Sequence, residues 1–272
     1  MQTDVDAIPR VTQYVLGTGR WETRTDWPDP SVSPSRLYLG SGNTLETAAP
    51  TLPSAPDAFL QNPVSGVCTQ STSQWSAGLL AAAPCTTDNR LDEATSGVSY
   101  TTPPLAQDIH VDGPLFADVW VATTASDAVV TVRVTDVAPD GTSTELTDGW
   151  LAGSFRALDA SRSRYVNGQL MQPWHPFTRD SVLPVAAGAP IELPIEIFPT
   201  DAIVPAGHRL RLYVGPNDFP HAVPPLSQLT ASLAGVVQVL HDPQHASYLA
   251  LPNVGTCASP CKAPSVPHLI RG

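Results

Sequence analysis

The sequence predicts an all-β sandwich or jelly roll with long proline-rich loops, on three observations. Apolar residues recur with a period of two rather than 3.6, the strand-like stretches are short, and turn residues separate them. The 29 prolines and 18 glycines among 272 residues also leave little room for helix interiors.

Residues 115–122 are the first of the clear strands. In 130–135 the valines alternate with Thr131, Arg133 and Thr135, the pattern of a strand with one face buried and one toward water. Residues 191–197 alternate in the same way, and Pro194 places that strand at an edge or a bulge. In 208–214 the pattern turns Leu210, Leu212 and Val214 inward, and Arg209, Arg211 and Tyr213 outward. Residues 236–240 complete the set. Turn chemistry falls at 139–141, 148–149, 167–168 and 215–217. Only 226–233 suggests a helical turn or two, since 202–207 is too short, and no repeat of ~20–50 residues occurs. Two long stretches, 22–35 and 41–97, lie outside this pattern, and loops of such length are usually functional or interfacial.

With 42% apolar and 14% charged residues the chain can bury a core and is not of disordered composition. A net charge of −11 repels phosphate backbones and anionic lipid, so neither nucleic acid nor a membrane is an expected partner. No apolar run approaches the ~18 residues of a membrane span. Residues 1–10 lack the apolar run of a signal peptide, so a leader lies outside this sequence or the chain is not exported alone.

Four cysteines fall in two local pairs, Cys68 with Cys85 and Cys257 with Cys261. An even count in local pairs suits disulfides and an oxidising compartment, hence a secreted or cell-envelope location. Reduced thiols are the rival, and a zinc site is disfavoured because the spacings lack a Cys-x2-Cys knuckle. Three connectivities remain open.

Catalytic signatures are absent. There is no Gly-x-Ser-x-Gly elbow, the nearest runs being Gly40-Ser41-Gly42 and Gly153-Ser154-Phe155, and no phosphate-binding or His-Glu-x-x-His motif. No catalytic residue, cofactor or metal ligand is therefore assigned. His208 and His175 suit structural hydrogen bonding and packing. His241 and His245 would ligate a metal together only on a helix, which Pro243 forbids. His110, His221 and His268 have no local partner. Asp136 and Asp140 suit turn stabilisation rather than a calcium loop, and the tryptophans suit packing.

The order of several motifs adds information. Tyr14-Val15-Leu16-Gly17, Trp21, Asp26-Trp27-Pro28 and Leu37-Tyr38-Leu39 come first, followed by Tyr100 to Leu105, Val132 to Gly141 and Leu146 to Gly149. Ala206 to Leu212 and Asn217-Asp218-Phe219-Pro220 close the series. Over residues 11–225 this order resembles the C-terminal domain of the X-prolyl dipeptidyl-peptidase and CocE/NonD (cocaine-esterase-type) serine hydrolases. The resemblance implies a galactose-binding-like jelly-roll β-sandwich at 11–254, with a lead-in linker at 1–10 and an irregular tail at 255–272. It implies a non-catalytic role beside an upstream α/β-hydrolase domain that carries the Ser, Asp and His of the triad. It also implies that the stretch Val64–Trp75 walls the substrate pocket, through Gly66, Val67, Thr69 and Trp75. The match there is loose, because the family's Gly-Gly pair is Ser65-Gly66 and a cysteine stands at Cys68. A free-standing carbohydrate-binding module on the same fold is the alternative of a different class. A docking domain should expose apolar side chains near 22–35 or 64–80. A serine, histidine and carboxylate in hydrogen-bonding sequence, or a mainly helical architecture, would undo the non-catalytic reading.

Overall fold

The structure is a computed structural model that describes residues 8–80 and 85–256, with side chains to Asn253. Its strands are β1 (Val11–Val15), β2 (Arg20–Arg24), β3 (Ser33–Gly40), β4 (Thr44–Glu46), β5 (Asp57–Leu60) and β6 (Val98–Thr101). The long central strands follow: β7 (Ile109–Thr123), β8 (Val129–Val137) and β9 (Ser143–Ala152). Then come β10 (Arg164–Val166), β11 (Gln169–Gln172), β12 (Ile191–Val204), β13 (Arg209–Gly215), β14 (Val236–Leu240) and β15 (Tyr248–Thr256). Three short helices, α1 (Gln70–Trp75), α2 (Arg90–Thr95) and α3 (Leu226–Ser232), sit in the connections. Among the described residues, no helix is long and apolar enough to cross a membrane.

One hydrogen-bonded path runs β5-β14-β7-β15-β3-β4-β6-β13-β8-β9, and β12 pairs with β7 beside it. Every strand pairing is antiparallel except the short β4–β6 contact. The sheet curls upon itself, because strands far apart on this path share one core. Val119 and Val121 of β7, with Leu193, Ile195 and Ile197 of β12, pack in the same cluster as Val130, Val132 and Val134 of β8 and Leu210, Leu212 and Val214 of β13. The all-β sandwich expectation holds, as do all five strand assignments. Pro194 stands opposite Asp118 of β7, and a register shift follows between Ile197 and Thr200. Its carbonyl accepts from the His175 ring at 2.8 Å, which secures the packed role expected of that histidine.

Two expectations fail for one reason. Arg133, Thr131, Thr135 and Tyr213 were expected to face water, yet all four are fully buried. Residues 61–80 and 85–97 lie over this second face of β8 and β13 and add a layer that strand periodicity cannot register. The α1 and α2 helices, not foreseen from the sequence, belong to this layer. Thr69 caps α1 by accepting from the Thr72 N–H at 3.1 Å. The 148–149 turn is also corrected. Asp148 and Gly149 lie within β9, and a Cβ at Gly149 would meet the Glu196 carbonyl at 2.0 Å, so glycine is needed there for close approach and not for a bend. The turn at 167–168 joins β10 to β11 with positive φ at both residues, as a tight hairpin requires.

Candidate functional site: a braced loop over a buried charged layer

Strand register places the polar side chains of the second face side by side. Ser99 of β6 stands opposite Tyr213 of β13, Tyr213 opposite Arg133 of β8, and Arg133 opposite Asp148 of β9. On the neighbouring row Thr131 stands opposite Trp150. Alternation along each strand turns these residues away from the apolar core, toward the covering loop.

Arg133 is the centre of this layer. Its Nη2 donates to Asp92 Oδ2 at 2.7 Å and lies 3.9 Å from Asp218 Oδ1, while its guanidinium sits 4.5 Å from the Tyr213 ring centroid. The carboxylates around it raise its pKa well above the usual value despite complete burial. Burial pushes the Asp218 carboxyl up, but hydrogen bonds from His221 and Ser71 and the charge of Arg133 outweigh it and hold the group below the ordinary range. Burial dominates at Glu145, which is pushed up to about 7 although Arg133 pulls it down. A buried charge left unpaired costs several kcal/mol, so this layer is stable only as a set.

The loop over this layer is held from four directions. The Gly66 N–H donates to Asp92 Oδ1 at 3.2 Å, the Ser71 hydroxyl donates to Asp218 Oδ2 at 2.6 Å, and Asn89 Oδ1 accepts from the Gln70 N–H at 2.8 Å. Cys68 and Cys85 form a disulfide. The second cysteine pair, Cys257 and Cys261, lies outside the described residues. Gly66 has φ of +101°, and a Cβ there would fall 2.7 Å from the Asp218 Cα, so only glycine lets the two backbones approach.

Of the four residues expected to wall a pocket, Val67 and Trp75 face solvent, whereas Gly66 and Thr69 are buried inside the loop. Val64, Leu79 and Leu80 are exposed beside them. The apolar exposure expected of a docking face appears at 64–80; within 22–35 no large apolar side chain is exposed, although Trp21 just before it is. A cleft of about 530 Å³ runs under the loop, lined by Phe59, Val64, Gly66, Val67, Cys68 and Asp92 among others.

At the far end of the loop the Trp75 ring stacks on His221, with centroids 4.5 Å apart and planes 18° from parallel. Trp150 meets the same imidazole edge-on at 4.9 Å. His221 Nδ1 lies 3.1 Å from Asp218 Oδ2 and 3.3 Å from Asp148 Oδ2. Burial pushes the imidazole pKa down, but the two carboxylates outweigh it and raise it to about 9. Sequence inspection missed this cluster because Asp148 and His221 are remote in the chain. The proximity of Asp218 and His221 was the only local signal.

Among the described residues the other histidines are also partnered; His268 lies outside them. His208 Nδ1 meets Asp136 Oδ1 at 2.8 Å, which gives Asp136 a cross-strand role in place of the expected turn role. Asp140 does stabilise its turn, accepting from the Thr142 N–H at 2.9 Å. His110 pairs with Asp201 at 2.6 Å.

One serine–histidine–carboxylate sequence does occur. Ser54 Oγ lies 2.8 Å from His241 Nδ1, and His241 Nε2 lies 3.0 Å from Asp57 Oδ2. Hydrogen bonding alone is thus too weak a criterion for catalysis. The imidazole is 2% exposed and packs edge-on against Tyr100, whose hydroxyl also donates to Asp57 Oδ2 at 2.8 Å. Ser54 is equally placed to donate to the His241 carbonyl, at 3.2 Å. A nucleophile needs a strained, exposed turn with oxyanion donors in front of it. This relay instead ties the Pro-rich segment before β5 to the end of β14.

The fold is a curled β-sandwich that carries a disulfide-braced, apolar-tipped loop over a buried charged layer. The chain matches, over residues 3–250, the family described as the X-Pro dipeptidyl-peptidase C-terminal non-catalytic domain, and it belongs to that family. Cocaine esterase of Rhodococcus sp. (strain MB1 Bresler) is 27% identical over 271 residues, covering 92% of this chain and 43% of that protein. A Mycobacterium tuberculosis (strain CDC 1551 / Oshkosh) protein with the provisional name serine esterase is 26% identical over 251 residues, covering 92% and 38%. The chain thus spans about two fifths of the length of these relatives. Among solved structures, a CocE/NonD family hydrolase from Staphylococcus aureus superposes with a TM-score of 0.68 at 18% identity, covering 94% of this chain and 43% of that one. That likeness shows the shared fold.

Proposed function

We propose that this domain docks on the α/β-hydrolase catalytic domain of a serine hydrolase that cleaves esters or X-Pro peptides. Its 64–80 loop walls one side of the substrate pocket, with Val67 and Trp75 as the contact residues. The observation that carries this reading is the combination of exposure and bracing at one place. Val64, Val67, Trp75, Leu79 and Leu80 are exposed on a loop fixed by a disulfide and by hydrogen bonds to buried carboxylates. Free apolar loops collapse or aggregate, whereas a braced one presents a fixed surface to a partner. The folded unit is residues 11–254, flanked by a lead-in and a tail. The Cys68–Cys85 bridge supports a secreted or cell-envelope setting.

The test uses the chain joined to its catalytic domain and compares it with the Trp75→Ala variant on ester and X-Pro substrates. A fall in kcat/KM of about tenfold or more, with unchanged thermal stability, supports the pocket-wall role. Unchanged kinetics on both substrate classes refutes it.

A further inference from the structure

We propose that Asp148, Asp218 and His221 form a binding site for a divalent transition-metal ion of the zinc type, which fastens the turn carrying Asp218 and His221 to β9. The site lies beside Trp75, the residue proposed to meet the partner, but its test does not require docking.

The geometry is that of a tridentate set. One ligand atom from each residue lies within 4.8 Å of the others. With zinc–ligand bonds of about 2.0–2.1 Å, a tetrahedral site separates its ligand atoms by roughly 3.3 Å. The distances from His221 Nδ1 are 3.3 Å to Asp148 Oδ2 and 3.1 Å to Asp218 Oδ2. Imidazole with two carboxylates is a mixed nitrogen and oxygen donor set, which suits zinc and its transition-metal neighbours better than calcium or magnesium.

A second observation points to a missing ligand. Asp148 is 4% exposed, yet its Oδ2, the atom aimed at His221, takes no hydrogen bond. One N–H at His221 Nδ1 faces two acceptors and cannot lie in line with both. An ion between the three atoms would satisfy the orphan Asp148 oxygen. Asp218 presents Oδ2 to the imidazole while its Oδ1 faces Arg133 at 3.9 Å. The Ser71 hydroxyl donates to the same Oδ2 at 2.6 Å and fixes the carboxylate, as outer partners of metal ligands do.

Charge leads to the same conclusion. The buried layer sets the carboxylates of Asp92, Asp148 and Asp218, with Glu145 beside them, against one guanidinium, Arg133. The layer carries excess negative charge, and a divalent ion in place of the imidazole proton offsets one charge more than that proton does. The Trp75 ring over the imidazole would shield the site from water on that side.

The test takes the intact chain, stripped with a chelator, and titrates it with zinc by calorimetry and with cobalt by absorption and NMR. The expected result is one equivalent bound, with paramagnetically shifted ring protons of His221, a readout that needs no variant. His221→Gln and Asp148→Asn should each weaken zinc binding by more than about 100-fold. His110→Gln, which alters the separate Glu22, His110 and Asp201 cluster, should leave it unchanged. Absence of binding, unshifted His221 protons, or loss in the His110 variant in place of the other two overturns the proposal.

Discussion

The two faces of β8 are made by opposite physics. On one face Val130, Val132 and Val134 join a dry cluster of aliphatic side chains. On the other, Thr131, Arg133 and Thr135 are equally buried but lie under a polar loop. The first face is stabilised by apolar area and tolerates exchanges of similar volume. The second depends on each charge keeping its partner, so it is specific and fragile. Its position beneath the exposed 64–80 loop suggests why a support domain keeps it. The layer fixes the loop that is proposed to meet the partner.

That contrast can be broken most severely at Arg133. Replacement by Met should destabilise the domain by about 3–5 kcal/mol, because Asp92 and Asp218 lose their counter-charge, and urea denaturation measures it. A loss below about 1 kcal/mol would show the layer to be ordinary packing. Leu193→Ala on the apolar face should cost about 2–5 kcal/mol, but should leave hydrogen exchange in 64–80 no faster than global unfolding dictates. Arg133→Met should instead open that loop locally. Serine in place of both Cys68 and Cys85 should cost about 3 kcal/mol by releasing a 17-residue separation in the unfolded chain.

A titration sharpens the comparison further. His221 is raised from 6.5 to about 9, so its contribution to stability is complete below 6.5 and is lost as pH rises through about 9. In chelator-treated protein, tryptophan fluorescence should change with a midpoint near 9, since Trp75 and Trp150 touch the imidazole, and His221→Gln should abolish the transition. The smallest expected effect is at Ser54. A fluorophosphonate probe should leave it unlabelled, and robust labelling would make its relay to His241 and Asp57 a catalytic one.

The apolar face was legible because alternation of valine, leucine and isoleucine states the pleat directly. Ile191, Leu193, Ile195 and Ile197 needed no further context. The polar layer was illegible for the same reason. Arg133 and Tyr213 obey the alternation of a half-exposed strand, and nothing local says that residues 61–80 and 85–97 will cover them. Asp148 followed by glycine imitates a turn, although Gly149 is there to let the Glu196 backbone approach. The family resemblance pointed to the 64–75 stretch only loosely. It could not separate the residues that face out, Val67 and Trp75, from those that build the loop, Gly66 and Thr69, since that distinction is tertiary.

Hydrogen exchange of the chain, alone and bound to its catalytic domain, tests the central claim most directly. Protection gained across residues 64–80, with the β7 and β12 core unchanged, is the predicted result. Equal exchange of the loop in both states would contradict the account.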